Sequence, residues 1–494
     1  MLYNKKLFII AFIALTSFAV QAQKNIFLER SYWKSNPDVA SIKSEIEKGS
    51  NASELNINSF DATVYAIIEN APNESVKFLL TQKGNDVNKL THDGRTYIFW
   101  AAYKGNVELM EYLLTKGAKT DILDDHGYTI LNFAASTGQT NTKVYDLCLK
   151  TGANLSKDLN HDGANALLLI APYDKDFTLL NYFTSKGLDL KSTDANGNTA
   201  FNYAAKTGNI DFLKQLLQKG VKFTDNALIM ASQGTRSTSN TIELYQYLEG
   251  LKIKPTATAK NGENALHAIV RKEKQVEIIK YFLSKGVDIN QADNEGNTVF
   301  MNAASSNSEI EVIELLLPKL KNINQLNKKG VSALAFAVRN NTPEIVNLLI
   351  ASGADVKTAD ANGDNLAYYL LQSYNPQKTA AFESKLKALQ AKGLNITSVQ
   401  KNGNTLYHLA VAKNDLTLLK RIQDSKIDVN AKNKEGFTAL HKAAMTAQDD
   451  TIIKYLLSIG AKKETVTEFK ETAFDLASEN EFLAKNNISI DFLK

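Results

Sequence analysis

Gly436-Phe437-Thr438-Ala439-Leu440-His441-Lys442-Ala443-Ala444 starts on a turn-type glycine, passes a threonine and ends in an apolar patch that tapers to alanines. A run of this kind makes a short helix with a narrow packing face. Working outward, the same grammar recurs behind Gly94, Gly127, Gly163, Gly197, Gly262, Gly296, Gly330, Gly363 and Gly403. Successive spacings are 33, 36, 34, 65, 34, 34, 33, 40 and 33 residues, the 65 spanning one degenerate unit. After Gly94, for example, comes Thr96-Tyr97-Ile98-Phe99-Trp100-Ala101-Ala102, then a second apolar-periodic run, Val107-Glu108-Leu109-Met110-Glu111-Tyr112-Leu113-Leu114. Gly117 then closes that run as a helix C-cap. Each unit reads turn, helix, turn, helix. One such unit cannot bury its own apolar face, so the units must stack.

The chain resembles the ankyrin-repeat family, whose unit of about 33 residues carries the pattern T-P-L-H-x-A. Gly436 to Ala444 is the best copy, followed by Gly403-Asn404-Thr405-Leu406-Tyr407-His408-Leu409-Ala410 and Gly197-Asn198-Thr199-Ala200-Phe201-Asn202-Tyr203-Ala204-Ala205. The resemblance covers nearly everything from Asn56 onward and implies an all-α ankyrin-repeat solenoid of about 12 helix-turn-helix repeats plus terminal caps. One departure is consistent: the family proline is replaced by Tyr97, Ile130, Ala166, Ala200, Ala265, Val299, Ala333, Leu366, Leu406 and Ala439. Without that preset backbone angle, less rigid helix starts are expected. Residues 23–55, with a half-unit ending at Gly49, read as an N-terminal cap; 56–222 as a first block of repeats; 223–258 as a degenerate unit and possible hinge; 259–464 as a second block; and 465–494 as a C-terminal capping repeat. A longer period overlies the short one: Gly94, Gly197, Gly296 and Gly403 are 103, 99 and 107 residues apart. Either duplication or a contact surface recurring every third repeat accounts for it.

Residues 1–22 have the layout of a cleavable signal peptide. Lys5 and Lys6 precede an apolar run from Leu7 to Val20, and Val20-Gln21-Ala22 supplies small residues for cleavage before Gln23. The expected location is the periplasm or the outside of a bacterial cell, with no integral membrane segment after cleavage. Without Lys5 and Lys6, 55 basic side chains nearly balance 53 acidic ones, which argues against a nucleic-acid partner. Apolar residues make up 44% of the 494 and the mean hydropathy is -0.25, as for a chain that buries a core. Cys148, the one cysteine, excludes an intramolecular disulfide.

No phosphate-binding loop, H-E-x-x-H, C-x-x-C or G-x-S-x-G occurs, so no catalytic role and no cofactor is expected. The resemblance assigns His267, His408 and His441 to hydrogen bonds between neighbouring repeats. Cys148, in an apolar second-helix position, reads as a small buried hydrophobe. His92-Asp93, Asp125-His126 and His161-Asp162 sit at three consecutive hairpin tips, a donor set suited to a divalent ion. Turn chemistry alone also selects these residues, and tips separated by the ~10 Å helix packing distance would not share a metal.

The family's contact surface, the hairpin tips and exposed ends of first helices, falls here on His92, Asp93, Arg95, Tyr103, Lys104, Asp125, His126, Tyr128, His161, Asp162 and Tyr173, then on Lys260, Arg271, Lys272, Lys328, Lys329, Arg339, Lys401, Lys413 and Lys434. The first group is acidic, histidine-rich and aromatic, the second basic, tempered by Glu263, Glu295, Asp364 and Glu435. The resemblance thus implies a protein-binding scaffold with a protein partner along its groove. The alternative is a metal-binding or stress-protective accessory using the His/Asp tips.

Overall fold

The computed structural model describes residues 25–235 and 239–494. The predicted leader, residues 1–22, lies outside the described residues, as do residues 236–238 of the turn in the degenerate unit. Ordered structure among the described residues is helical, with isolated bridges such as Thr193 with Thr199 and Leu326 with Ser332 at the bases of hairpins. The chain divides into two compact units between Ala200 and Phe201. That division precedes the degenerate unit 223–258, whose helices Asn226–Gln233 and Ile242–Gly250 both belong to the second unit.

All ten residues that stand in place of the family proline are first residues of helices. The missing pyrrolidine is offset by capping side chains. Thr129, Asn165, Thr298, Ser332 and Thr438, each at the N-cap, accept a hydrogen bond from a free N–H of the first turn. Second helices end as the pattern predicts. After Val107–Thr115, Gly117 takes φ +87, and the next amide, Ala118, donates back to Leu113 O at 3.0 Å.

Within each unit a first helix packs on its own second helix and on the first helix of the next repeat, as Tyr97–Tyr103 does on Ile130–Ser136 and Val299–Ser306 does on Ala333–Asn340. Small residues at the ends of first helices allow that approach. A recurrent side-chain bond ties the layers together: the carbonyl of a first helix's sixth residue accepts from a side chain of the following repeat. Gln139 reaches Ala102 O, Asn307 reaches Val270 O, Asn341 reaches Ala304 O and Asn480 reaches Ala444 O, at 2.9 to 3.3 Å. At Val338 the same carbonyl is taken by Lys385 Nζ, 2.9 Å away. The histidines complete the lattice. In His267, His408 and His441, Nδ1 accepts the N-cap N–H of its own helix, and Nε2 donates to Asn297 O, Phe437 O and Thr465 O of the next repeat.

Candidate functional site

Hairpin tips are positioned by one side chain each. Asp124 Oδ1 accepts from the N–H groups of His126 and Tyr128, and Asn327 Oδ1 from those of Lys329 and Val331, which folds the turn around its glycine. Neighbouring tips then join directly, backbone to backbone. Asp125 N donates to Asp93 O at 2.9 Å in the first unit, and Lys328 N donates to Glu295 O at 3.0 Å in the second. This corrects the ~10 Å tip separation inferred from helix packing: hairpins reach beyond the helices and lean onto the preceding tip.

In the first unit the ladder gathers charge. Asp93 Oδ2 lies 3.4 Å from His92 Nε2, 3.3 Å from His126 Nε2 and 2.9 Å from Arg95 Nη1. Burial pushes the Asp93 carboxyl up, but Arg95 and the two imidazoles outweigh it and hold the group below its ordinary range. Arg95 is not the exposed contact residue expected from its place in the repeat. It is 7% exposed, its Nε donates to Asp124 Oδ2 at 2.8 Å, and its guanidinium lies 4.1 Å from the Phe133 ring centroid. A planar fork between two carboxylates and an aromatic face is a structural tie. Asp162 and His161 form a separate, exposed pair at 3.3 Å. Among the described residues no group of three or more His, Cys, Asp or Glu is arranged to hold a metal ion.

Aromatic rings line the same unit. Trp100 contacts Phe133 edge-on at 5.8 Å and Tyr103 at 6.5 Å, and Lys104 extends over the Tyr103 ring. Tyr173 donates to Ser136 O at 3.0 Å; burial first, then the neighbouring Tyr128 and Tyr103, raises its phenol. Phe60 stacks on His92 at 4.3 Å. Phe60, Trp100 and Phe133 were absent from the expected contact set. The signal for two of them lay in the repeat register, since the fourth first-helix residue is Tyr65, Trp100 and Phe133 in three successive repeats.

In the second unit the tip cations are mostly uncommitted. Lys260, Arg271, Lys328, Lys329, Arg339, Lys401, Lys413 and Lys434 are exposed and make no ion pair among the described residues. Lys272 differs: its Nζ donates to Ser232 O and Gln233 O at 3.1 and 2.7 Å, capping the end of Asn226–Gln233, and burial lowers its ammonium. A cleft of about 730 Å³ opens across three repeats, lined by Lys328, Lys329, Arg339, Asp364 and Tyr368 among others. Tyr369 donates to Asp360 Oδ2 at 2.7 Å on its wall, and burial together with the Asp360 charge raises the Asp364 carboxyl. Glu295 and Asp364 belong to the acidic residues expected to temper this basic half; Asp360 and the tyrosine side of the cleft were not anticipated, because the expected contacts counted only the basic tips.

Cys148 is buried against apolar neighbours, and burial pushes its thiol up to about 12, which fits an inert hydrophobe rather than a nucleophile. No helix among the described residues is long and apolar enough to cross a membrane.

Geometry of this kind, stacked helix pairs with hydrogen-bonded tips, defines a repeat protein, each unit of which presents a face of hairpin tips and first-helix ends. Family models described as ankyrin repeats match residues 63–158, 228–327, 266–360 and 377–467, and a second such model matches 168–217. The chain belongs to the ankyrin-repeat family. It is similar to transient receptor potential cation channel subfamily A member 1 of Homo sapiens, 23% identical over 427 residues that cover 85% of this chain and 32% of that one. It is also similar to palmitoyltransferase AKR1 of Lachancea kluyveri, 27% identical over 30% of this chain and 20% of that protein. A shorter likeness, 36% over 80 residues, links it to protein phosphatase 1 regulatory subunit 12A of Mus musculus, covering 16% of this chain and 8% of that one. The chain spans a third or less of the length of these relatives. Ankyrin repeats imply protein–protein interaction.

Proposed function

We propose that the protein is a non-catalytic scaffold of the bacterial periplasm or cell exterior that binds a protein partner through its hairpin tips and first-helix ends. The observation that carries this reading is the cleft of the second unit, where Lys328, Lys329 and Arg339 stand without ion pairs beside Tyr368. Unpaired tip cations cost the fold nothing and speed and orient docking of an acidic surface, while a tyrosine supplies contact area at low entropy cost. A preformed face loses little ordering entropy on binding. Export rests on the leader pattern of residues 1–22.

The test is a quantitative pull-down from native envelope extract with residues 23–494, run beside the quadruple reversal Lys260→Glu, Arg271→Glu, Lys328→Glu and Arg339→Glu. A defined protein enriched by the parent and lost by the reversal supports the reading; enrichment by neither form sinks it. N-terminal sequencing of the exported chain is expected to begin at Gln23, and a cytoplasmic, uncleaved chain overturns the location.

A further inference from the structure

Four hairpin tips carry the dipeptide Asn-Gly: Asn196-Gly197, Asn261-Gly262, Asn362-Gly363 and Asn402-Gly403. The pairing is chemically labile, because glycine has no side chain to shield its amide nitrogen from the neighbouring carboxamide. All four asparagines are exposed, so access does not distinguish them. Their hydrogen bonds do. The carbonyl of Asn261 accepts from Asn294 N at 2.7 Å and that of Asn402 from Lys434 N at 2.9 Å, the rungs that join successive tips. Their carboxamides are held too, Asn261 Oδ1 by Glu263 N at 3.2 Å and Asn402 Oδ1 by Asn404 N at 3.0 Å. Among the described residues Asn362 has neither bond, and Asn196 likewise lacks both. At Asn362 the rung has slipped by one residue, from Lys401 N to Gly363 O at 3.2 Å. Gln400 explains the slip. A methylene longer than Asn327 or Asn433 at the same turn position, it reaches back to Asn365, accepting from Asn365 N at 2.8 Å and donating to Asn365 Oδ1 at 3.1 Å.

The reaction open to such a dipeptide is deamidation. The glycine nitrogen, having given up its proton, forms a C–N bond to the asparagine Cγ and ammonia leaves, which closes a succinimide. Water then opens either imide carbonyl and yields aspartate or isoaspartate. One water is consumed and one ammonia released, with no oxidation or reduction. In the folded tips the attacking amide is engaged at each site of the second unit, Gly262 N with Ala259 O, Gly363 N with Asp360 O and Gly403 N with Gln400 O, at 2.8 to 2.9 Å. Closure therefore requires the backbone to turn about the asparagine Cα–C bond while the carboxamide swings onto the glycine nitrogen. At Asn261 and Asn402 that motion also breaks the rung on the carbonyl and the bond on the carboxamide. At Asn362 it breaks neither.

We propose that Asn362 is a self-modifying site: in the folded chain it converts to aspartate or isoaspartate while Asn261 and Asn402 persist, and the new carboxylate loosens the cleft's hold on an acidic partner. Asn362 lines that cleft with Lys328, Lys329 and Arg339. A carboxylate there joins those of Asp360 and Asp364 and offsets the cations that steer docking. Hydrolysis does not reverse, so the cleft loses positive character in one direction only. The conversion needs no partner; its consequence rests on the proposed docking of an acidic surface.

The full chain is incubated at mildly alkaline pH, folded or in concentrated urea, and the peptide from each tip is followed by mass spectrometry for the gain of one dalton, isoaspartate being identified by methyltransferase labelling. In the folded chain Asn362 and Asn196 are expected to convert at least threefold faster than Asn261 and Asn402. In urea, where the dipeptide alone decides, all four should convert within threefold of one another. A folded-state advantage below threefold at Asn362 or Asn196, or an advantage that survives urea, overturns the site. The consequence is read with Asn362→Asp, titrated by fluorescence anisotropy with a glutamate-rich synthetic peptide. The variant is expected to bind at least threefold more weakly than the parent, and a smaller loss overturns the loosening. If neither form binds, the docking reading fails and the loosening with it, while the mass comparison still decides the conversion.

Discussion

Gly286 and Gly296 sit ten residues apart in neighbouring turns with φ of +80 and +83, yet their surroundings differ completely. A Cβ on Gly286 would meet nothing within 4 Å, whereas one on Gly296 would lie 2.7 Å from Lys328 N and 3.1 Å from Asn327 Cα. Alanine at such a φ costs about 1–2 kcal/mol, partly offset by roughly 0.4–1 kcal/mol from the stiffer unfolded chain. Gly286→Ala should therefore lose about 1 kcal/mol. Gly296→Ala adds displacement of the next tip, about 1–3 kcal/mol by analogy with overpacking, and weakens the bond from Lys328 N to Glu295 O, about 0.5–1.5 kcal/mol. Its expected loss is about 2.5–5.5 kcal/mol in sum. Urea unfolding followed by circular dichroism reads the global difference. Because repeat arrays depart from two-state behaviour, hydrogen exchange of the Lys328 amide supplies the local readout and should accelerate only in Gly296→Ala. Equal losses in the two variants, with unchanged exchange at Lys328, would refute the idea that tip-to-tip contact constrains this fold.

Burial lowers the pKa of His267, His408 and His441, whose Nδ1 atoms already accept a backbone N–H. Folded chains therefore bind fewer protons than unfolded ones, so these groups leave stability intact above the ordinary imidazole pKa of about 6.5 and reduce it as pH falls below that value. Urea midpoints from pH 7.5 to 5 should decline less in His408→Gln than in the parent; parallel declines count against the assignment. Burial likewise pushes the Lys385 ammonium down to about 8, so its contribution to stability should rise with pH between about 8 and the ordinary lysine value near 10.4. Lys385→Gln, which keeps a donor for Val338 O, is expected to abolish that rise, and an unchanged alkaline limb would contradict it. Arg95→Lys should destabilise by about 2–4 kcal/mol in urea, because one ammonium cannot span Asp93 and Asp124 while stacking on Phe133. A loss below about 0.5 kcal/mol would restore Arg95 to the surface role its repeat position suggests.

The helix starts were readable because they depend on local pattern alone. Tyr97, Ile130 and Ala439 begin helices at the places the glycine period sets, and the histidine bonds follow from the same register. What the pattern could not convey is direction beyond the helix axis. Helix spacing implies separated tips, but a hairpin is an arm that leans, and only its coordinates show Asp125 N on Asp93 O. Burial of Arg95 escaped for the same reason: its partner Asp124 belongs to the next repeat, and that pairing exists only once the tips meet. Lys272 and Lys385 were opaque because an amide normally takes the carbonyl they reach, and a lysine in a repeat reads as surface.

The two tip arrays differ in which side chains the fold itself uses. Backbone bonds join tips in both units, from Asp125 N to Asp93 O and from Ala361 N to Lys329 O, each at 2.9 Å. Ion pairing is therefore not what holds a tip in place, since tips of the second unit join without it, helped by amide bonds such as Asn327 Nδ2 to Asn297 Oδ1 at 2.8 Å and Asn433 Nδ2 to Asn404 Oδ1 at 2.9 Å. Where pairing does occur, at Asp93 with Arg95 and His126, it draws in buried Arg95 and the aromatic wall behind it, and those side chains are spent within the protein. Where it does not, at Lys328, Lys329 and Arg339, the fold has set the backbone and left the charge unused. An exposed charge with no internal partner can change without cost to folding. By this reasoning the exposed, unpaired Lys328 and Lys329 are better candidates for recognition than Asp93 and Arg95, whose charges are already paired within the protein.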